Sequence, residues 1–208
     1  MTMRVVVDNG PGRQLRASSG RALKAAQPKI AIRRATAADA PALHALIAAH
    51  LEEGRLLPRG LDELTVHAPR FVVAIDTSAS GVRLREDASA GQDRIVGCAE
   101  LAPLSQAVAE VRSLVVSHDA RRHGLGVQMV EDLAVRARRD GYTRLCAFAH
   151  DPAFFVRRGF SIVPHTWVPQ KIEADCRTCA QFRQCGQYAV MLPLIRMQTT
   201  RVLSSAHA

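Results

Sequence analysis

The chain has 208 residues, 48% of them hydrophobic and 23% charged, with a formal net charge of +9. This is ordinary globular usage, which excludes a disordered or fibrous chain and suits a single core. Aromatic residues make up only 4%, too few for a platform that stacks nucleic-acid bases, and no apolar run approaches the roughly 18 residues of a membrane span.

The positive charge is uneven. Residues 1–29 hold Arg4, Arg13, Arg16, Arg21, Lys24 and Lys29 against Asp8 alone, interspersed with Gly10, Pro11, Gly12, Ser18, Ser19 and Gly20. That segment reads as a flexible basic arm. Val5 to Val7 is cut off by Asp8 and Asn9, too soon for the apolar core of a secretory signal. Five cysteines, an odd number without such a signal, point to a reducing compartment, and the expected location is cytoplasmic.

Ile30 and Ile32 open a strand. Thr36 with Asp39 three residues on resembles a capping box for a helix whose apolar positions are Leu43, Leu46, Ile47 and Leu51. Gly54 ends that helix, and Leu56 to Gly60 connects to a short helix at Asp62–His67. Phe71–Asp76 is a strand, Thr77–Asp93 a long exposed hairpin loop, and Ile95–Leu101 and Glu110–Val116 are further strands. A helix follows over Val127–Arg139, with Val127, Val130, Leu133, Ala134 and Ala137 on one stripe. Arg144–Ala149 is a strand, Pro152–Arg158 a short helix, and Gly159-Phe160 restarts the chain as strand. The order β, α, α, β, β, β, α, β, α, β implies an α/β domain with a mixed sheet over residues 30–194, followed by a tail at 195–208.

The segment Arg121-x-x-Gly124-x-Gly126 lies between a strand and a helix. Its glycines admit a ligand close to the backbone, and the helix that follows offers unpaired N–H groups to an anion such as a diphosphate. Arg121 stands where a dinucleotide fingerprint needs its first glycine, and the Gly-Lys-Ser/Thr of a Walker loop is absent. Cys176, Cys179 and Cys185, with His165 as a fourth candidate, form an incomplete zinc pattern, so no metal is expected and zinc is the lesser reading. Cys98 and Cys146 read as buried small apolar residues. His50-x-Glu52 and Cys176-x-x-Cys179 superficially match a zinc-deaminase pattern, but the halves lie far apart and Asp175 occupies the usual proline position. His50 falls at a helix end, where a solvated side chain is expected.

The glycine loop resembles the acetyl-CoA pyrophosphate motif of GCN5-related N-acetyltransferases (GNAT). More narrowly, Leu56-Leu57-Pro58-Arg59, Ala109 to Val116, Phe154-Phe155-x-x-x-Gly159-Phe160 and Pro169-Gln170-Lys171 through Asp175-Cys176-x-x-Cys179 resemble short, single-domain bacterial N-acetylglutamate synthases. The resemblance covers about residues 30–194. It implies a GNAT-like, largely antiparallel mixed sheet flanked by helices, with acetyl-CoA between two splayed strands, here 110–116 and 144–149. It further implies transfer of acetyl to the α-amine of L-glutamate, the first step of arginine biosynthesis. The implied CoA contacts are Leu114, Val116, Arg121, Arg122, His123, Gly124 and Gly126.

An α-amine is mostly ammonium at neutral pH, so a base is needed. The resemblance puts Glu110 in that role, at the start of its strand. It puts a backbone N–H near Ser113 on the oxyanion, and Arg59, Arg112 and Lys171 on the acceptor's carboxylates. His150 is the candidate acid for the leaving thiolate, although a thiol can leave without one. A homodimer is allowed for, no membrane partner is expected, and nucleic acid is expected to meet at most the arm. Two alternatives stay open: a GNAT enzyme for another amine (a polyamine, an antibiotic or a protein N-terminus), and a non-catalytic acetyl-CoA or nucleic-acid binding module.

Overall fold

Five consecutive residues of β2 (Phe71–Asp76) are buried, as a strand covered on both faces requires. Its antiparallel neighbours are β1 (Ile30–Arg34) and β3 (Arg94–Pro103). The computed structural model describes residues 29–51, 56–78, 94–179 and 182–194. Within them β4 (Val108–Val116), β5 (Arg144–Ala149), β6 (Ser161–Val163) and β7 (Tyr188–Pro193) complete one sheet. Its strand order is β1-β2-β3-β4-β5-β7-β6, and the β4–β5 pair alone is parallel.

Helices α1 (Ala40–Ala48) and α2 (Leu61–His67) cover one face, where Leu43, Ile47 and Leu64 pack with Phe71, Val73, Ile75, Cys98 and Val115. On the other face α3 (Leu125–Arg139) lays Met129, Val130, Leu133 and Ala137 on Val72, Leu101, Val111 and Leu145. Each fully buried side chain of this size contributes about 1.5–3 kcal/mol. The α3 stripe therefore anchors the helix whose first turn borders the glycine loop. Among the described residues no helix is long and apolar enough to cross a membrane.

Several boundaries differ from the sequence reading. The Thr36–Asp39 capping box is present but opens a 3-10 turn at Ala37–Asp39, after which α1 begins at Ala40. Helix α3 begins at Leu125 rather than Val127, and the helix after β5 is only α4 (Ala153–Val156). Strand β4 starts two residues before Glu110, because Val108 and Ala109 already pair with Arg144 and Leu145. Glu110 is thus a strand-interior residue, not the first of its strand. Strand β7 was not expected at all; it inserts between β5 and β6, pairing antiparallel with both. Before it, helix α5 (Pro169–Lys171) continues into a π turn at Ile172–Cys176. The arm before residue 29, the loop at 79–93, Gly54 and the tail from 195 lie outside the described residues.

Candidate active site

Strands β4 and β5 pair only from Val108 to Val111 and from Arg144 to Ala147. Both continue beyond that point, so the ladder opens into a wedge. On its other edge β4 pairs Glu100 with Arg112 and Cys98 with Val115, leaving Ser113 and Leu114 opposite the single Ala99. This is a β-bulge. Ser113 sits at φ 48°, left-handed backbone that costs a non-glycine residue roughly 1 kcal/mol or more. Neither bulge residue has a register partner on either neighbouring strand.

Along the β4 side of the wedge lies a cavity of about 530 Å³, to which no residue of β5 contributes among the described residues. Leu114 and Val116 line it from β4, and Arg121, Arg122, Gly124 and Gly126 line it from the loop. Arg121 Nε donates to the Val116 carbonyl at 3.0 Å, fastening the loop to the strand end. Gly124 caps α3 at φ 73°, and the first intrahelical bond runs from Gln128 N to Gly124 O at 3.1 Å. The N–H groups of Leu125, Gly126 and Val127 therefore have no intrahelical acceptor and are suited to an anion. At Gly126 a β-carbon would already stand 3.5 Å from the Phe154 ring. Anything longer meets that ring or fills the wedge. His123 turns aside, its Nδ1 3.3 Å from the Ala120 carbonyl.

Upstream of the bulge, Glu110 is only 3% exposed. Lys171 Nζ reaches its two oxygens at 2.7 and 3.0 Å, and Arg112 Nε reaches Oε2 at 2.6 Å. Asp175, on the π turn, accepts from Arg112 Nη2 and pairs with Lys171 at 2.8 Å. Burial opposes the charge of Arg112, but Glu110 and Asp175 more than offset it, and the guanidinium is held above its ordinary range. The four residues make a neutral square of two anions and two cations. Buried charge of this kind is tolerable only when paired.

Arg59 belongs to a second group. Its Nη1 donates to Glu100 at 2.9 Å and to Ser113 Oγ at 3.1 Å, while Nη2 pairs with Glu63 at 2.8 Å. Glu100, 1% exposed, also has His67 and Arg70 at 3.8 and 4.0 Å. The sequence expectation sends Arg59 to an acceptor carboxylate; here its guanidinium holds two carboxylates of the chain and steadies the bulge. Glu100 and Arg112 are register partners, so the two groups adjoin across β3 and β4.

His150 follows the end of β5, with its ring against Gly186, and does not line the wedge. His50, expected to be solvated, is 7% exposed and lines the wedge beside Leu56. The helix-end position gave no sign of this, because burial there comes from the strand end and loop that close over α1. Asp175 and Glu100 were also missed as site residues. Asp175 stands four residues after Lys171 on one helical face, and Glu100 is an acid inside an otherwise apolar strand; both were legible signals. Cys98 and Cys146 are buried as expected, and burial pushes both thiols up to about 12. Cys176, Cys179 and Cys185 are free thiols, and His165 Nε2 lies 3.0 Å from the Gln187 carbonyl. Among the described residues no group of three or more His, Cys, Asp or Glu could hold a metal ion.

Residues 60–160 match the acetyltransferase (GNAT) family. An uncharacterized N-acetyltransferase of Chlorobaculum tepidum is 26% identical over 163 residues, 78% of this chain and 96% of that protein. An amino-acid acetyltransferase of Neisseria meningitidis is 28% identical over 151 residues, 72% of this chain and 31% of that protein. The structure of N-acetylglutamate synthase from Neisseria gonorrhoeae, complexed with coenzyme A and N-acetyl-glutamate, is similar at TM-score 0.66 and 25% identity. That match covers 82% of this chain and 36% of the synthase. A Mycobacterium tuberculosis protein in complex with CoA shares the fold at TM-score 0.61 and 22% identity, over 79% of this chain and 99% of that one. This chain spans about a third of the length of the two Neisseria proteins.

Proposed function

Because this chain carries an acetyltransferase domain of the GNAT family, we propose that it transfers acetyl from acetyl-CoA to the α-amine of L-glutamate. The observation that carries the reading is Glu110, a buried carboxylate bonded to two cations just upstream of the opened edge of β4. The similarity to an amino-acid acetyltransferase and to an N-acetylglutamate synthase supports an amino-acid acceptor.

In this reading the loop from Arg121 to Gly126 receives the diphosphate, and Leu114 and Val116 flank the pantetheine arm in the wedge. Glu110, directly or through water, takes the proton from the acceptor's ammonium, and the freed nitrogen attacks the thioester carbon. The C–N bond forms as the carbonyl π pair moves to oxygen, where a backbone N–H near Ser113 stabilises the oxyanion. Losing one such donor costs about 3–4 kcal/mol in other enzymes. Collapse re-forms the carbonyl and breaks the C–S bond, the nitrogen gives up its second proton to solvent, and the thiolate leaves or takes a proton, with His150 as the candidate acid. Arg59, Arg112 and Lys171 hold the acceptor's carboxylates, with Arg59 set beside the bulge by Ser113 and Glu100.

A second reading is favoured by one observation: Arg112 and Lys171 already pair with Glu110 and Asp175, leaving the group neutral. Such a group suits an amine without a side-chain carboxylate. Steady-state thiol release with glutamate, glutamine, spermidine and a peptide N-terminus separates the two. Glutamate should give the highest kcat/KM, and preference for spermidine or the peptide refutes the glutamate reading while leaving acetyl transfer intact.

A further inference from the structure

Among the described residues the polar side chains lining the wedge are His50, Arg121 and Arg122. Both arginines can only donate hydrogen bonds, and so can the free N–H groups of the α3 first turn. His50 is the exception. Its Nδ1 lies 2.8 Å from the carbonyl oxygen of Leu46, the last turn of α1. A carbonyl only accepts, so Nδ1 carries the proton of that bond and fixes the tautomer. Nε2 of the singly protonated ring is then a lone-pair acceptor. It is buried and has no hydrogen-bond partner among the described residues. The neighbouring ring of His118, with centroids 5.5 Å apart and planes at 32°, packs against it. A buried acceptor without a donor is rare in a folded protein and calls for one.

We propose that His50 is a binding residue for the acyl donor, accepting at Nε2 a hydrogen bond from an N–H or O–H of the pantetheine arm. The two ends of acetyl-CoA differ in chemistry. The diphosphate offers oxygens, which match the loop N–H groups and the two arginines and would repel a nitrogen lone pair. The arm offers amide N–H and hydroxyl O–H groups, the donors that Nε2 lacks. The proposal rests on acetyl-CoA as the donor but is independent of which amine accepts the acetyl group.

The test is calorimetric binding of CoA and of 3′-phosphoadenosine 5′-diphosphate, which keeps the nucleotide and the diphosphate and lacks the arm, to the parent protein and to His50→Leu, His50→Asn and His50→Gln. Glutamine sets an amide oxygen near the position of Nε2, whereas asparagine replaces only the Nδ1 side. CoA should bind about tenfold more weakly to the Leu and Asn variants, the size expected for one hydrogen bond. The Gln variant should stay close to the parent, and 3′-phosphoadenosine 5′-diphosphate should not distinguish the four proteins. Thermal melts check the fold, and if the Leu variant does not fold, the Asn and Gln pair carries the comparison. Unchanged CoA affinity in the Asn variant overturns the proposal. So does an equal loss for 3′-phosphoadenosine 5′-diphosphate, or a Gln variant as weak as Asn. A parent protein that does not bind CoA removes the donor reading itself, an outcome distinct from these.

Discussion

Lys171 bridges both oxygens of Glu110, so a residue from the turn after β6 closes on a strand in the middle of the sheet. Removing the ammonium leaves a buried carboxylate with Arg112 as its main partner. Lys171→Met should lower stability by about 1–3 kcal/mol and raise the KM for the amino acid by roughly one to two decades. Chemical denaturation and steady-state kinetics measure the two effects, and the KM for acetyl-CoA should hardly move.

Asp175 acts one step further out, fixing Arg112 and Lys171 without touching Glu110 itself. In Asp175→Asn both cations lose a charged partner, and the KM for glutamate should rise about tenfold. Asp175→Glu should recover part of the loss. Equal effects on the two substrates would point to a general loosening of the fold.

Gly124 is needed for its left-handed backbone and Gly126 for the space between the wedge and Phe154. Gly126→Val should weaken CoA binding at least tenfold with the melting temperature nearly unchanged, whereas Gly124→Val should lower both. Calorimetry beside a thermal melt separates these patterns.

Away from the site, the Arg33 guanidinium holds Asp39 down at about 2, below the ordinary 3.8, against the opposing effect of burial. A carboxylate with a depressed pKa stabilises the fold above its unfolded value and loses that contribution as pH falls through the folded one. Arg33 is partly exposed, so the shift is worth about 1–2 kcal/mol after screening. The melting-temperature gap between the parent and Asp39→Asn should therefore be full near pH 6 and close between about pH 4 and 2.

The glycine loop, the apolar stripe of α3 and the two buried cysteines were legible because each rests on local chemistry: a positive-φ turn, helical periodicity, a small apolar side chain in a strand. The pairing of Lys171 with Glu110 was not, since 61 residues separate them and Lys171 lies on a short helix beyond β6, outside the strand ladder of β4. Strand β7 itself follows a Cys- and Gly-containing stretch that hides its short apolar run. The bonds of Arg59 to Glu100 and Ser113 were not legible either, since they depend on a bulge that no residue pattern announces, because Ser113 is not a glycine.

The proposed transfer of the acceptor's proton to Glu110 is read in the pH dependence of kcat/KM for glutamate acetylation by Glu110→Gln. Near neutral pH the variant should be slower by about 10²- to 10⁴-fold, with the gap narrowing as pH rises and free amine becomes abundant. CoA affinity should stay within threefold of the parent. A variant whose rate and pH profile match the parent would contradict the account, leaving Glu110 as a structural partner of Lys171 and Arg112.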